Sequence, residues 1–324
     1  MNRLLRRRES TLVIIILVLL IGVSLRARGF LELSNLNDIL TDTAILVIVS
    51  IGQMMVIVTG GADLSVASGI ALSGMSVAML NWQVPGIPLV VLVILALVIG
   101  FVLGSVNGFL VSATRIPPII TTLATLGIYR GLVFVESGGQ WVSAHKMTES
   151  FRDFPHAAPL GISNLLVAAV VVTIASAVFI RYTRTGRNIY GAGGNRTAAR
   201  YVGIPLARID YLVYAISGVL VGLAGLLWVS RYASAQNDTA TGFELQTIAA
   251  CVIGGVSMLG GSGSIAGVVL GALFLGIVNN ALPVIGLSPF FQMAIQGFVI
   301  LAAIIANSVV DHRAQAALLR TRKL

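Results

Sequence analysis

Seven apolar runs, at residues 11–25, 39–58, 88–111, 163–182, 209–229, 265–283 and 289–307, leave this chain few folds to choose from. A helix of about 20 apolar residues crosses the roughly 30 Å hydrocarbon core of a bilayer, and only helices and closed barrels satisfy every backbone polar group there. A soluble fold is excluded by want of charge. Of 324 residues 57% are apolar and 10% charged, where a soluble domain carries roughly 25% charged residues. Three weaker segments bring the expected count to ten spans: 63–80 is rich in Ser and Gly, 117–135 contains Arg130, and 244–259 is short. The expectation is an all-α, polytopic membrane protein, one transmembrane domain over 1–324 with about ten helices. The run at 11–25 follows a basic stretch as a signal peptide would, but no small-x-small cleavage site follows it, so it reads as a retained first helix flanked by Ser10 and Arg26.

Charge bias orients the spans, because basic side chains stay on the cytoplasmic side. Ten spans with the N-terminus inside put 15 of the 21 basic residues in cytoplasmic segments and both termini in the cytoplasm. The pI near 10.4 then reflects topology rather than a nucleic-acid patch, and no nucleic-acid partner is expected. Eight spans would also place both ends inside, so parity alone leaves the count open. Of two hydrophilic stretches, 136–162 is nearly neutral and falls outside, as a docking surface or as a solvated connection. The other, 183–208, is Arg-rich, cytoplasmic and carries a glycine cluster.

Motifs for covalent chemistry are missing. Lys146 and Lys323 are the only lysines and neither lies in a phosphate-cradling G-x-x-x-x-G-K-[ST] loop. A G-x-G-x-x-A string at 261–266 opens an apolar run and has no acidic residue about twenty positions on. Cys251 is the sole cysteine, and His145, His156 and His312 lack metal-ligand spacing. Neither enzyme, metal site nor resident cofactor is expected. The spans also lack a membrane-centred acid or His relay of the kind ion-driven carriers use, so the energy source is expected on another polypeptide.

Glycines recur four apart at Gly100, Gly104 and Gly108, at Gly218 and Gly222, and at Gly263, Gly267 and Gly271. Small residues at this spacing let helix backbones approach in lipid, and packing within one subunit is preferred here to a dimer seam. The string TGGADLSVAS at 59–68 sets Asp63 beside two glycines. Asp63 reads either as the N-cap of the next helix or as part of a polar pathway. GGSGSIAG at 260–267 is a weaker echo, hinting at a duplicated bundle. Other polar residues within spans are Gln53, Asn107, Thr121, Thr122, Asn279, Asn280, Gln292 and Gln296. They suit hydrogen bonding to a polyhydroxylated solute, or pairing between helices; Gln53, Asp63, Asn107, Asn279 and Asn280 are the candidate solute-pathway residues.

GGADLSVAS at 60–68 resembles the G-G-x-D-L-S-V-G-S signature of the sugar-type permeases of bacterial ABC importers, the ribose-permease-like family. TRTGRNIYGAGGNRTAARYVGI at 183–204 is similar to that family's ATPase-contacting loop, and the likeness continues through IAACVIGGVSMLGGSGSIAG from Ile248. The resemblance implies a multi-pass protein of the bacterial cytoplasmic (inner) membrane. It further implies a dimer with a second copy or a homologous permease, coupled to a cytoplasmic ATP-binding subunit that holds the ATP and Mg, and fed by a periplasmic solute-binding protein. The cargo would be a small sugar or sugar-like solute moved by alternating access. Carried over by motif, Gly186, Arg187, Tyr190, Gly193, Gly194, Asn195, Ala198, Ala199, Gly203 and Ile204 would form the ATPase-coupling segment, with a short helix at about 196–202. Two departures stand out: Ala67 replaces a usual Gly, and Arg196 and Thr197 stand where an acid is common, which puts the charge match with the ATPase in question. The competing class is a stand-alone secondary carrier or channel for a small polar solute.

Overall fold

The computed structural model describes residues 2–27, 29–114, 116–157 and 162–284, with scattered positions between 286 and 305. Gln292, Gln296, His312 and most of the run 289–307 lie outside the described residues. The elements in chain order are α1 (Asn2–Arg26), α2 (Leu33–Val58), α3 (Val66–Gln83), α4 (Leu89–Thr114) and α5 (Pro118–Ser137). A two-residue strand β1 (Val142–Ser143), a 3-10 turn (Ala144–Lys146) and α6 (Glu149–Asp153) lead to α7 (Asn164–Tyr182). Then come α8 (Arg184–Gly194), α9 (Arg196–Tyr201), α10 (Leu206–Tyr232), β2 (Ser234–Ala235), α11 (Phe243–Ile253) and α12 (Ile265–Val284).

Among the described residues seven helices are long and apolar enough to cross a membrane: α1, α2, α4, α5, α7, α10 and α12. The three weaker segments of the sequence part company here. The one with Arg130 is a full helix, α5, whose guanidinium donates to the carbonyls of Asn237 at 2.7 Å and Thr239 at 3.0 Å, so a strand-and-turn segment supplies the partners that lipid lacks. The Ser- and Gly-rich segment starts as a non-helical break at 60–65 before α3 forms. The short one is α11, 11 residues long, about 16 Å and so half a hydrocarbon core.

The bundle is built around α2 and α10. Within their apolar windows 94% of α2 and 72% of α10 are buried, against 22% of α4 and 17% of α7. A helix apolar on every side has no polar face to show water, and here α2 satisfies that by being wrapped in protein. Helices α4 and α7 turn Ile94, Val98, Phe101, Val171 and Ile174 outward, as lipid-facing surfaces require. The glycine spacing is used inside the subunit: Gly100 and Gly104 of α4 lie against Gly218 and Gly222 of α10, and Gly267 and Gly271 of α12 lie against Gly254 and Ala250. A Cβ on Gly104 would fall on the carbonyl of Tyr214 and the Cα of Gly218. Gly104→Leu is therefore expected to cost about 3 kcal/mol, read as a lowered unfolding temperature in detergent; an unchanged temperature would mean that α4 and α10 do not touch there.

The described part of the stretch at 136–162, residues 136–157, packs on the bundle. It buries Val142, Met147 and Phe151, pairs β1 with β2 in antiparallel register, and receives the Ser230 hydroxyl on the Phe151 carbonyl at 2.6 Å. Asn81 at the end of α3 holds Thr148 through both its amide atoms, at 2.9 and 3.0 Å. Residues 142–151 thus lie across the ends of α3 and α10.

Candidate functional site

Local sequence shapes the segment between α7 and α10. The Thr183 hydroxyl caps α8 by accepting from Gly186 N at 2.9 Å, and Asn195, in extended conformation, ends α8 and caps α9 by accepting from Ala198 N at 2.9 Å. Gly203, at φ +82°, turns the chain into α10. On α8, Gly186, Ile189 and Ala192 form a buried face with a three-residue spacing.

The ten predicted coupling residues divide into two faces. Gly186, Tyr190, Gly193, Ala199 and Ile204 turn toward the bundle, whereas Arg187, Gly194, Asn195, Ala198 and Gly203 are exposed. Sequence reasoning missed two neighbours on the outer face: Tyr201 is 88% and Val202 76% exposed. Two adjacent large side chains directly after Arg200 and before Gly203 were the available signal.

The inner face meets both interrupted segments of the bundle. A Cβ on Gly193 would overlap the Val58 carbonyl at the end of α2. That same carbonyl accepts from Gly261 N at 2.8 Å, and Gly260 (φ +87°) lies over Gly60 (φ +86°) and the Gly193 carbonyl. Three glycine pairs, 60–61, 193–194 and 260–261, thus converge, bringing the signature and its weaker echo face to face. Two side chains lock the contact. The Tyr190 hydroxyl donates to the Gly263 carbonyl at 2.9 Å, and burial raises its pKa above the ordinary phenol value. Arg196 donates to the Thr59 carbonyl at 3.3 Å and forms an ion pair with Asp210 at 2.5 Å. With half of the Arg196 side chain exposed, that pair is worth no more than about 1 kcal/mol; it ties the guanidinium to Asp210 of α10 beside the Thr59 carbonyl. A cleft of about 530 Å³ opens beside it, lined by Thr59, Gly60, Arg200 and Tyr214.

The break itself holds an enclosed polar knot. Asp63 is 2% exposed and accepts from Ser65 N at 2.9 Å and Ser65 Oγ at 2.6 Å. Helix α3 has Ser65 at its N-cap, so the carboxylate receives a freed backbone N–H from just outside the helix rather than from the capping position itself. Asn107 donates to Ser65 Oγ at 2.8 Å. Gln53, in the orientation that satisfies both amide atoms, brackets the Asp63 backbone at 3.2 Å. The hydroxyls of Thr122 and Tyr214 each donate to the Ala62 carbonyl at 3.2 Å, and Tyr129 donates to Leu103 O at 2.8 Å. Thr121, nearby on α5, has no hydrogen-bond partner. Tyr129 and Tyr214 were not singled out in the sequence, although a phenol inside an apolar helix always demands a partner.

Asn279 and Asn280 are not part of this knot. They sit on α12 toward its far end, on the wall of a separate cavity of about 410 Å³. Cys251 is buried, its thiol donating to Ser50 O at 3.3 Å. Among the described residues no three His, Cys, Asp or Glu side chains gather as a metal site would need.

Lipid-facing helices, two interrupted segments at the bundle centre and an amphipathic segment clamped against them make this an all-α, multi-pass membrane protein. The model of the family described as branched-chain amino acid transport system / permease component matches residues 35–304, and the chain belongs to that family. Among its relatives, the ribose import permease protein RbsC of Escherichia coli K12 is 37% identical over 93% of this chain and 94% of its own. The autoinducer 2 import system permease protein LsrC of Enterobacter sp. strain 638 is 34% identical over 100% of this chain and 92% of its own. The D-allose transport system permease protein AlsC of E. coli K12 is 34% identical over 94% of this chain and 92% of its own. No solved structure gives a significant match. The chain is a membrane permease subunit homologous to permeases of ATP-driven sugar importers.

Proposed function

We propose that this subunit passes a small sugar or sugar-like solute across the bacterial inner membrane by alternating access, driven by a cytoplasmic ATP-binding subunit seated on the segment 183–208. The observation that carries the reading is the two-sidedness of that segment. Its inner face is bound to both interrupted segments, and its outer face presents Tyr201, Val202 and unpaired surface where a partner would press. Force on the outer face reaches α2 and α12 through the glycine joint. The cargo class rests on the relatives, which are named for ribose, autoinducer 2 and allose.

In this reading ten spans are completed by the run 289–307, with both termini cytoplasmic. The placement of α1 supports the N-terminal half of that statement: Ser264, at the joint, donates to Glu9 of α1 at 2.7 Å, so the N-terminal end of α1 and the coupling segment share one end of the bundle. A second copy or a homologous permease completes the pathway, and a periplasmic solute-binding protein docks on the stretch at 136–162.

Capture of the ATP-binding subunit tests the reading. Gly194 has nothing within 4 Å of its Cβ position and Ala198 is exposed, so Gly194→Trp and Ala198→Asp alter the outer face and leave the inner one intact. Each is expected to reduce co-purification in mild detergent at least about tenfold with the unfolding temperature unchanged. Undiminished capture would place the ATPase elsewhere, and no capture by the wild type would favour a stand-alone carrier.

A further inference from the structure

The outer face of the segment 183–208 carries a charge that nothing in the subunit balances. From 183 to 209 the chain has five arginines and no acidic residue. One of the five, Arg196, is matched by Asp210. The other four, Arg184, Arg187, Arg200 and Arg208, are exposed, and among the described residues none of them takes part in an ion pair. The remaining acids near this end are already occupied: Asp63 is 2% exposed in the break, and Glu9 accepts from Ser264 at 2.7 Å.

The fold keeps these cations outside and sets two large side chains among them in the chain. In α8 the buried residues Gly186, Ile189 and Ala192 lie on one side, which leaves Arg184 and Arg187, three apart, as neighbours on the opposite side. Arg200 is followed directly by Tyr201 and Val202, both almost wholly exposed. Gly203 then turns the chain, and Arg208 follows in the first turn of α10.

Topology accounts for the sign of this charge, since positive loops stay in the cytoplasm. It does not account for Tyr201 and Val202. A lipid surface would attract the cations, but attachment there grows with the apolar area inserted, and one phenol beside one isopropyl group offers little. A protein groove answers both features: carboxylates accept the guanidinium fork through two parallel bonds, and a pocket encloses the ring as interface anchors are enclosed. We infer that the outer face of 183–208 selects an ATP-binding subunit whose docking groove is rimmed by carboxylates around an apolar pocket for Tyr201 and Val202. The inference rests on the ATPase seating proposed above and adds the chemistry by which the two subunits choose each other.

Lysine chemistry gives the direct test. Lys146 and Lys323 are the only lysines, so Arg187→Lys and Arg200→Lys each introduce an amine that a carbodiimide can join to a touching carboxylate. The full chain is combined with each purified ATP-binding subunit of the host's sugar importers in turn, in detergent and in nanodiscs of phosphatidylcholine or of phosphatidylglycerol. A cross-link from residue 187 or 200 to an Asp or Glu of the ATP-binding subunit, absent from the unsubstituted complex, is expected. Arg184→Glu with Arg187→Glu is expected to reduce capture at least about tenfold with the unfolding temperature unchanged, because both side chains are exposed and without ion pairs. Raising salt from about 0.05 to about 0.5 M is expected to weaken wild-type capture similarly. Tyr201→Ser is expected to weaken capture about tenfold while its salt dependence stays. Wild-type capture that ignores salt and the double reversal, undiminished capture by Tyr201→Ser, or no cross-link from either lysine would each overturn the inference and leave the ATPase seating standing. A loss on reversal seen only in phosphatidylglycerol would assign the cations to the lipid surface and overturn it as well. No capture of any ATP-binding subunit by the wild type would remove both readings.

Discussion

Gly193→Ala is expected to reduce ATP-driven uptake at least about tenfold, and Gly194→Ala to leave it near the wild-type rate. Both glycines lie in α8, where alanine is preferred by about 1 kcal/mol, so propensity predicts that both changes help. Packing predicts otherwise for one of them. The Cβ of residue 193 would overlap the Val58 carbonyl, itself engaged with Gly261 N, whereas that of residue 194 has open space. A backbone carbonyl in a fully buried helix end has nowhere to retreat, so α8 must lift away from the joint. Because the outer face is untouched, the ATP-binding subunit still co-purifies with the Gly193 variant; assembly and transport are expected to separate. Uptake by proteoliposomes containing the whole importer measures this, and normal uptake by Gly193→Ala would mean that the joint transmits nothing.

Asp63→Leu is expected to lower stability by about 3 kcal/mol and Asp63→Asn by about 1 kcal/mol. The carboxylate holds Ser65 by its N–H and hydroxyl, and Ser65 in turn holds Asn107. Leucine removes the acceptor and leaves a backbone N–H and a hydroxyl unsatisfied inside the bundle, which is where such losses are felt in full. Asparagine keeps one oxygen of the right shape and loses only the charge-assisted part of the bonds. The ordering Asp, Asn, Leu in unfolding temperature is the readout. Equal temperatures for the Asn and Leu variants would show that the side-chain oxygen does not hold the break together.

Much of this architecture was legible because lipid permits so few solutions. The apolar runs from 39 to 283 that reach span length all became helices, and the four-residue glycine spacing foretold close backbone contact. What resisted reading was whatever depends on a missing side chain or on a main-chain atom. Nothing about Val58 as a residue announces that its carbonyl, at the end of α2, is where the end of α8 and the 260–261 turn meet. Arg196 looked like a charge offered to the ATPase because a residue letter carries no direction; only the fold reveals Asp210 as its target. Likewise Asn279 and Asn280 resembled Gln53 and Asn107 as polar residues in apolar runs, and nothing short of the packing of α12 separates them. The run at 244–259 reads as apolar on either account, since hydropathy counts residues and does not see where α11 stops.

Helix α2 runs from Thr43, packed on Gly276 of α12 at the end away from the coupling segment, to Val58 at the glycine joint, about 22 Å along its axis. It is 94% enclosed, whereas α1, α4 and α7 are only 17%, 22% and 17% buried and meet the lipid. Hydrophobic mismatch therefore acts on the outer helices first: a thicker or thinner bilayer tilts or stretches α1, α4 and α7 at a cost of fractions of a kcal/mol per ångström, and α2 is shielded from it. The two ends of the subunit are thus mechanically connected by a rod that does not feel membrane thickness, which would let coupling stay constant as the cell changes its lipids.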